Sequence, residues 1–117
     1  MHMSDQEQEI LARIDEQVKN NPVVLYMKGT PQMPTCGFSS RTAEALVNTG
    51  EKFAFVNILA DPLIMEHLPK YQEWPTFPQL YIDGELQGGC DITLEMAESG
   101  ELKKMMAEAN AKQQETA

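Results

Sequence analysis

A chain of 117 residues, 42% of them hydrophobic, is long enough to bury an independent core as one domain. Eighteen acidic side chains against nine basic ones give a net charge of -9, which argues against a nucleic-acid binder, because duplex recognition rests on Lys and Arg neutralising phosphates. No apolar run is long enough to span a bilayer, no signal-peptide pattern opens the chain, and two cysteines do not make a disulfide scaffold; a reducing, cytoplasmic compartment and no membrane association are expected.

Met1-His2-Met3 reads as a cloning remnant, so His2 is given no role. Ser4 with Glu7 three residues later matches a capping box, and Ile10, Leu11, Ile14 and Val18 follow at helical spacing, predicting an amphipathic helix that ends near Asn20-Asn21-Pro22. Val23 to Met27 is apolar on both faces and reads as an internal strand. Lys28 to Thr35 is a loop, bounded by Gly29, Pro31 and Pro34. The next helix is predicted from Gly37 to Asn48, with Phe38, Ala45 and Leu46 available for the core and Gly50 as a stop. Phe53 to Ile58 is a second apolar strand. Strand, helix, strand in this order implies a parallel pair with a right-handed crossover.

Asp61-Pro62 predicts an N-cap followed by proline at the first helical position, with Ile64, Met65 and Leu68 in a short helix interrupted around Pro69. Trp74-Pro75-Thr76-Phe77-Pro78 is a stiff turn, because two prolines flank two aromatics. Gln79 to Ile82 reads as a strand, Asp83-Gly84 as a hairpin turn, and Glu85 to Gln87 as the returning strand. Gly88-Gly89 allows close backbone approach, and Asp91 is a candidate cap for the helix beginning there. Gly100 breaks that helix. Leu102, Met105, Met106 and Ala109 pattern a last one, and Asn110 to Ala117 is expected to be a frayed polar tail outside a core of about residues 5–108. The sum is a mixed four-stranded sheet with helices on both faces, in a single α/β domain over residues 1–117.

Cys36 falls at a strand-loop-helix junction. Unpaired N–H groups and the helix dipole stabilise an anion there, so its pKa is expected to be lowered and its thiolate available for disulfide attack or metal binding. The competing reading is a small apolar core residue. Ser39 occupies the position where a dithiol oxidoreductase of the Cys-x-x-Cys kind keeps its resolving sulfur, so a second thiol would have to come from elsewhere. Cys90 reads either as a residue that packs beside a backbone contact or as a secondary redox thiol able to pair with Cys36. Trp74 and Phe77 read as groove walls or core fillers, Tyr26 and Tyr81 as core, and His67 as a surface residue.

Cys36-Gly-Phe-Ser39 after Lys28-Gly-Thr-Pro-x-x-Pro-x, then Trp74-Pro-Thr-Phe-Pro-Gln-Leu-Tyr81, Asp83-Gly-Glu85 and Gly88-Gly-Cys-Asp91, together resemble the monothiol glutaredoxins of the CGFS type, over roughly Ile10 to Met106. The resemblance implies a thioredoxin fold, a glutathione site and a bridging 2Fe-2S cluster. It implies Cys36 as cluster ligand and Lys28 as partner of the glutathione glycyl carboxylate. It gives Phe77, before a cis Pro78, backbone contacts to the cysteinyl part, and assigns Gly89, Cys90 and Asp91 to the γ-glutamyl end. Met65 stands where many members carry an arginine, removing one cationic contact, for which Lys70 or Arg41 is a possible substitute.

A 2Fe-2S cluster needs four ligands, usually thiolates, and one chain supplies a single well-presented thiol. Two chains and two glutathiones complete the set. The expected function is therefore a cluster carrier rather than an enzyme, a homodimer formed around the cluster, receiving it from an assembly scaffold and passing it to apo-proteins, with BolA-like proteins as implied partners. The alternatives are a glutathione-dependent thiol-disulfide reductase working through Cys36 alone, and a redox or iron sensor.

Overall fold

The structure, a computed structural model, describes the backbone of residues 5–116 and the side chains of residues 5–113. The elements in order are α1 (Asp5–Asn20), β1 (Val23–Met27), α2 (Gly37–Asn48), β2 (Ala54–Asn57), a single 3-10 turn (Ile58–Ala60), α3 (Pro62–Tyr71), β3 (Gln79–Ile82), β4 (Glu85–Gly88), α4 (Cys90–Ser99) and α5 (Glu101–Thr116). The sheet runs β2-β1-β3-β4, with β1 and β2 parallel and the other two pairings antiparallel. This is the mixed four-stranded sheet expected from the sequence.

The two-residue period of a strand divides β1 between two cores. Val23, Leu25 and Met27 join Leu80 and Ile82 of β3 under Leu46 of α2 and Leu102 and Met106 of α5. Val24 and Tyr26 face the other way, with Tyr81, into Ile10, Ile14 and Val18 of α1 and Ile64 and Leu68 of α3. All five β1 residues are buried, which explains their unbroken apolar run. Tyr26 and Tyr81 meet edge-to-face at 5.7 Å, and each hydroxyl finds a partner, Gln17 Oε1 and Gln79 Oε1 respectively. The hairpin between β3 and β4 turns through Asp83 and Gly84, both at positive φ, as the Asp-Gly pair predicts.

Several expectations need correction. Phe38 is not core: it is 55% exposed on the outer side of the first turn of α2. The second strand is shorter than Phe53 to Ile58. It is an edge strand, and Phe55 points away from the core, 41% exposed, while Ile58 is buried from the 3-10 turn. Helix α3 passes through Pro69 to Tyr71. A proline near the end of a helix removes one hydrogen bond, and Leu68 and Tyr71, packed in the α1-side core, hold the last turn. Asp91 does not cap α4. Gly89 does, and Asp91 sits exposed in the first turn. His67 is not at the surface but buried between α3 and α1, its Nδ1 4.0 Å from Glu7 Oε1. The polar C-terminal stretch, expected to fray, is helical through Thr116, and Ala117 lies outside the described residues. Ala109 is buried, Asn110 donates to the Lys52 carbonyl, and Gln113 donates to the Asn20 carbonyl. Ser4 of the expected capping box lies outside the described residues.

Candidate functional site

The loop between β1 and α2 is folded on itself. Thr35 N–H donates to the Lys28 carbonyl at 3.1 Å, Thr30 and Met33 exchange backbone hydrogen bonds, and Gly29 bridges to Pro34. Gly29 sits at φ +92°, and a Cβ there would fall 2.5 Å from the Met33 carbonyl oxygen, so the closure requires glycine. The loop carries Met33, 76% exposed, at its tip and delivers Cys36 as the N-cap residue of α2.

Cys36 is half-buried. Its sulfur makes no capping hydrogen bond to the helix, yet the local field favours the thiolate. The Ser39 N–H is the largest cause, assisted by the Phe38 N–H, the Ser39 hydroxyl and the Lys28 charge, against an opposing effect of burial; together they hold the thiol below its usual range. The core-residue reading of Cys36 is therefore set aside. Ser39 is fully buried and its Oγ accepts the Lys28 N–H at 3.0 Å. The residue that lacks the resolving sulfur thus ties α2 to the end of β1.

Beside the first turn of α2 lies a cavity of about 470 Å³. Phe38 forms one wall, Trp74, Thr76, Phe77 and Pro78 another, and Gly89, Cys90, Asp91 and Ile92 of the α4 entry a third. Phe77 and Pro78 are joined by a cis peptide bond, as expected. The turn before β3 is held from beneath by Gln79, which is fully buried. Its amide nitrogen donates to the carbonyls of Trp74 at 2.8 Å and Thr76 at 3.3 Å, while its oxygen accepts from Tyr81. Gly89 keeps the cavity open at its base, where a Cβ would come within 3.2 Å of the Pro78 carbonyl. The buried indole nitrogen of Trp74 has no hydrogen-bond partner among the described residues.

Of the residues singled out from sequence, Trp74, Phe77, Gly89, Cys90 and Asp91 line this one cavity. Cys36 and Lys28 do not line it; Phe38, two residues after Cys36 along α2, does, and Lys28 is tied to the same turn by the bond from its N–H to Ser39 and by its charge acting on Cys36. Cys90 is buried. Met65 is exposed on α3. Of its suggested substitutes, Lys70 lies 3.5 Å from Glu7, and the Arg41 guanidinium stacks 5.6 Å over the Phe38 ring. A larger groove of about 640 Å³ between α2, α4 and α5 is lined by side chains of both signs and contains no thiol. Among the described residues, no group of three or more His, Cys, Asp and Glu side chains is arranged to hold a metal ion, and no helix is long and apolar enough to cross a membrane. Sequence reasoning missed Gln79 and Asn57. The first was hidden inside a strand, and the second gave no signal, because its partner lies 28 positions away.

Residues 23–87 match the glutaredoxin family model. The chain is 56% identical over 105 residues to Glutaredoxin 4 of Buchnera aphidicola subsp. Acyrthosiphon pisum, covering 90% of this chain and 97% of that one. It is 53% identical over 102 residues to Glutaredoxin 4 of Escherichia coli K12, covering 87% and 89%. Among solved structures, a buckwheat glutaredoxin–glutathione complex superposes with a TM-score of 0.81 at 25% identity, covering 94% of this chain and 98% of that one. Reduced poplar apo GrxS14 superposes with a TM-score of 0.72 at 47% identity, covering 86% and 92%.

Proposed function

This chain belongs to the glutaredoxin family as a monothiol member, and from that premise we propose that it binds glutathione beside Cys36 and carries a 2Fe-2S cluster as cargo in iron–sulfur cluster biogenesis. The observation that carries this reading is a lone activated thiol. Cys36 stands at a helix N-terminus beside a cavity of tripeptide size, and the position that would hold a resolving thiol is a buried serine.

The γ-glutamyl and cysteinyl parts of glutathione suit the cavity, and the glycyl carboxylate reaches beyond it toward Lys28. The first N–H groups of α4, which begins at Cys90, have no intrahelical partner and suit the γ-glutamyl carboxylate. The exposed Asp91 carboxylate suits the γ-glutamyl amino group. The Phe77 backbone accompanies the cysteinyl residue, and Lys28 draws the glycyl carboxylate. With Met65 in place of a cation, that carboxylate leans on Lys28. The donor set also fits the cluster. One chain offers Cys36 alone, since Cys90 is buried, so four thiolates are assembled by two chains and two glutathiones. The cluster supplies iron and sulfide to be passed on; the chain supplies one thiolate and the site that holds the exchangeable donors. Exposed Met33, Phe38 and Ile92 around Cys36 provide an apolar surface for the second protomer, or for a BolA-like protein in its place, and for scaffold and apo-protein clients. The setting is a reducing cytoplasm.

The lowered thiol pKa also favours a second reading, glutathione-dependent reduction of mixed disulfides. The Cys36 thiolate attacks the glutathione sulfur of a mixed disulfide. A protein–glutathione disulfide forms, and the substrate thiolate leaves and takes up a proton. A free glutathione thiolate then attacks the glutathione sulfur of that disulfide, releasing oxidised glutathione and regenerating the Cys36 thiolate; on balance one free glutathione is consumed, its sulfur oxidised to the disulfide and its proton passed on as the substrate sulfur becomes a thiol.

Anaerobic incubation with iron, sulfide and glutathione separates the readings. The carrier gives a brown dimer whose visible absorption requires both glutathione and Cys36. Equal colour in Cys36→Ser overturns it, and rapid turnover of mixed disulfides by a colourless monomer favours the reductase.

A further inference from the structure

The ladder between β1 and β2 ends at the pair Met27 and Asn57, because β2 turns into the 3-10 turn at Ile58. The strand β1 continues into Lys28 and Gly29, past its last pair with β2, with no further β2-side backbone partner among the described residues. The Asn57 side chain takes the place of the missing rung. Its Oδ1 accepts the Gly29 N–H at 3.0 Å and also the Leu59 N–H at 3.0 Å. Lys28 is thereby fixed around its backbone: its own N–H is held by Ser39 of α2, its carbonyl by Thr35, and the next N–H by Asn57. The side chain is the part of Lys28 left to move.

We propose that Asn57 is a positioning residue for Lys28, fixing the β1 exit so that the ammonium is held toward the carboxylate of the bound tripeptide. This rests on the glutathione reading above. Asn57 itself touches no ligand in this account. Its oxygen joins the parallel strand to the cysteine loop, and the precision of one cation depends on that joint. A long lysine side chain loses affinity when its root wanders, since the rotamers that reach the carboxylate become a smaller share of the whole.

Glutathione affinity measured by titration calorimetry in a double-mutant cycle tests the inference. Asn57→Leu removes the acceptor at similar size, Asn57→Asp keeps it, and Lys28→Met removes the cation. Asn57→Leu is expected to weaken glutathione binding about tenfold in the native background and by less than about twofold in the Lys28→Met background, where there is no ammonium left to position. Asn57→Asp is expected to recover most of the loss. Equal losses in both backgrounds, or no loss in either, overturn the inference. Amide exchange in the unsubstituted protein keeps the question open to refutation if Asn57→Leu does not fold. The Gly29 amide is expected to exchange at least about a hundredfold more slowly than an open-loop amide, and free exchange there overturns the joint. If the unsubstituted protein binds no glutathione, the glutathione reading itself fails and the inference falls with it, a result distinct from intact binding that Asn57→Leu leaves unchanged.

Discussion

At the scale of single residues, the chemistry depends on Cys36 having a field around it that a cysteine in an open chain lacks. The Ser39 and Phe38 N–H groups, the Ser39 hydroxyl and the Lys28 charge each favour the thiolate. Because the thiolate is the reactive form, alkylation by iodoacetamide is expected to rise with pH along a curve whose midpoint lies below that of an unstructured cysteine. Ser39→Ala and Lys28→Met are each expected to move the midpoint upward and to slow the reaction at neutral pH. Identical profiles for all three proteins would show that the thiol is not activated by these neighbours. Ser39 links this chemistry to structure, since the hydroxyl that favours the thiolate also accepts the Lys28 N–H. A cysteine at the same place would exchange a good acceptor for a weak one.

At the scale of elements, the cavity depends on a turn that has no secondary structure of its own. The segment from Trp74 to Pro78 is held to the sheet by one buried amide, Gln79, which uses both its nitrogen and its oxygen. Gln79→Leu would leave two carbonyls of the turn and the Tyr81 hydroxyl without that partner in or near the core. A loss of about 1–3 kcal/mol in urea unfolding is expected, with unchanged far-UV circular dichroism. Weakened glutathione binding should accompany it, because the Phe77 wall is no longer fixed. Retained stability and affinity would mean that the prolines and the Trp74 N–H bond to the Pro69 carbonyl suffice to hold the turn.

At the scale of the whole molecule, the sheet is a partition between two cores, and the cysteine loop, the cis-proline turn and the α4 entry meet at one end of it. In the cluster-bridged dimer proposed above, each of the two molecules carries a net charge of -9. Their mutual repulsion is screened by salt, with a Debye length of about 10 Å at 0.1 M. The cluster-loaded dimer is therefore expected to dissociate more readily at low ionic strength. Size-exclusion chromatography of the brown species at low and moderate salt checks this. A dimer weakened by added salt would indicate that opposite charges, rather than apolar contacts around Met33 and Phe38, hold the two copies.

The sequence by itself determined the order and type of the elements, because their signals are local. The five-residue apolar run gave β1, the Asp61-Pro62 pair the start of α3, the Asp83-Gly84 pair the hairpin, and Gly100 the break between the last two helices. It also singled out Cys36, since a thiol after a loop and before a helix is a chemical statement made by neighbours in the chain. Tertiary structure alone decided what depends on partners far apart in sequence. It turned Phe38 outward and buried His67, because a helix's exposed face is set by what packs against it. It carried α5 to Thr116, where contacts to Lys52 and Asn20 support a stretch too polar to predict as ordered. It also joined Asn57 to Gly29 and Gln79 to Trp74, hydrogen bonds that leave no mark in local composition and that only the folded sheet brings within reach.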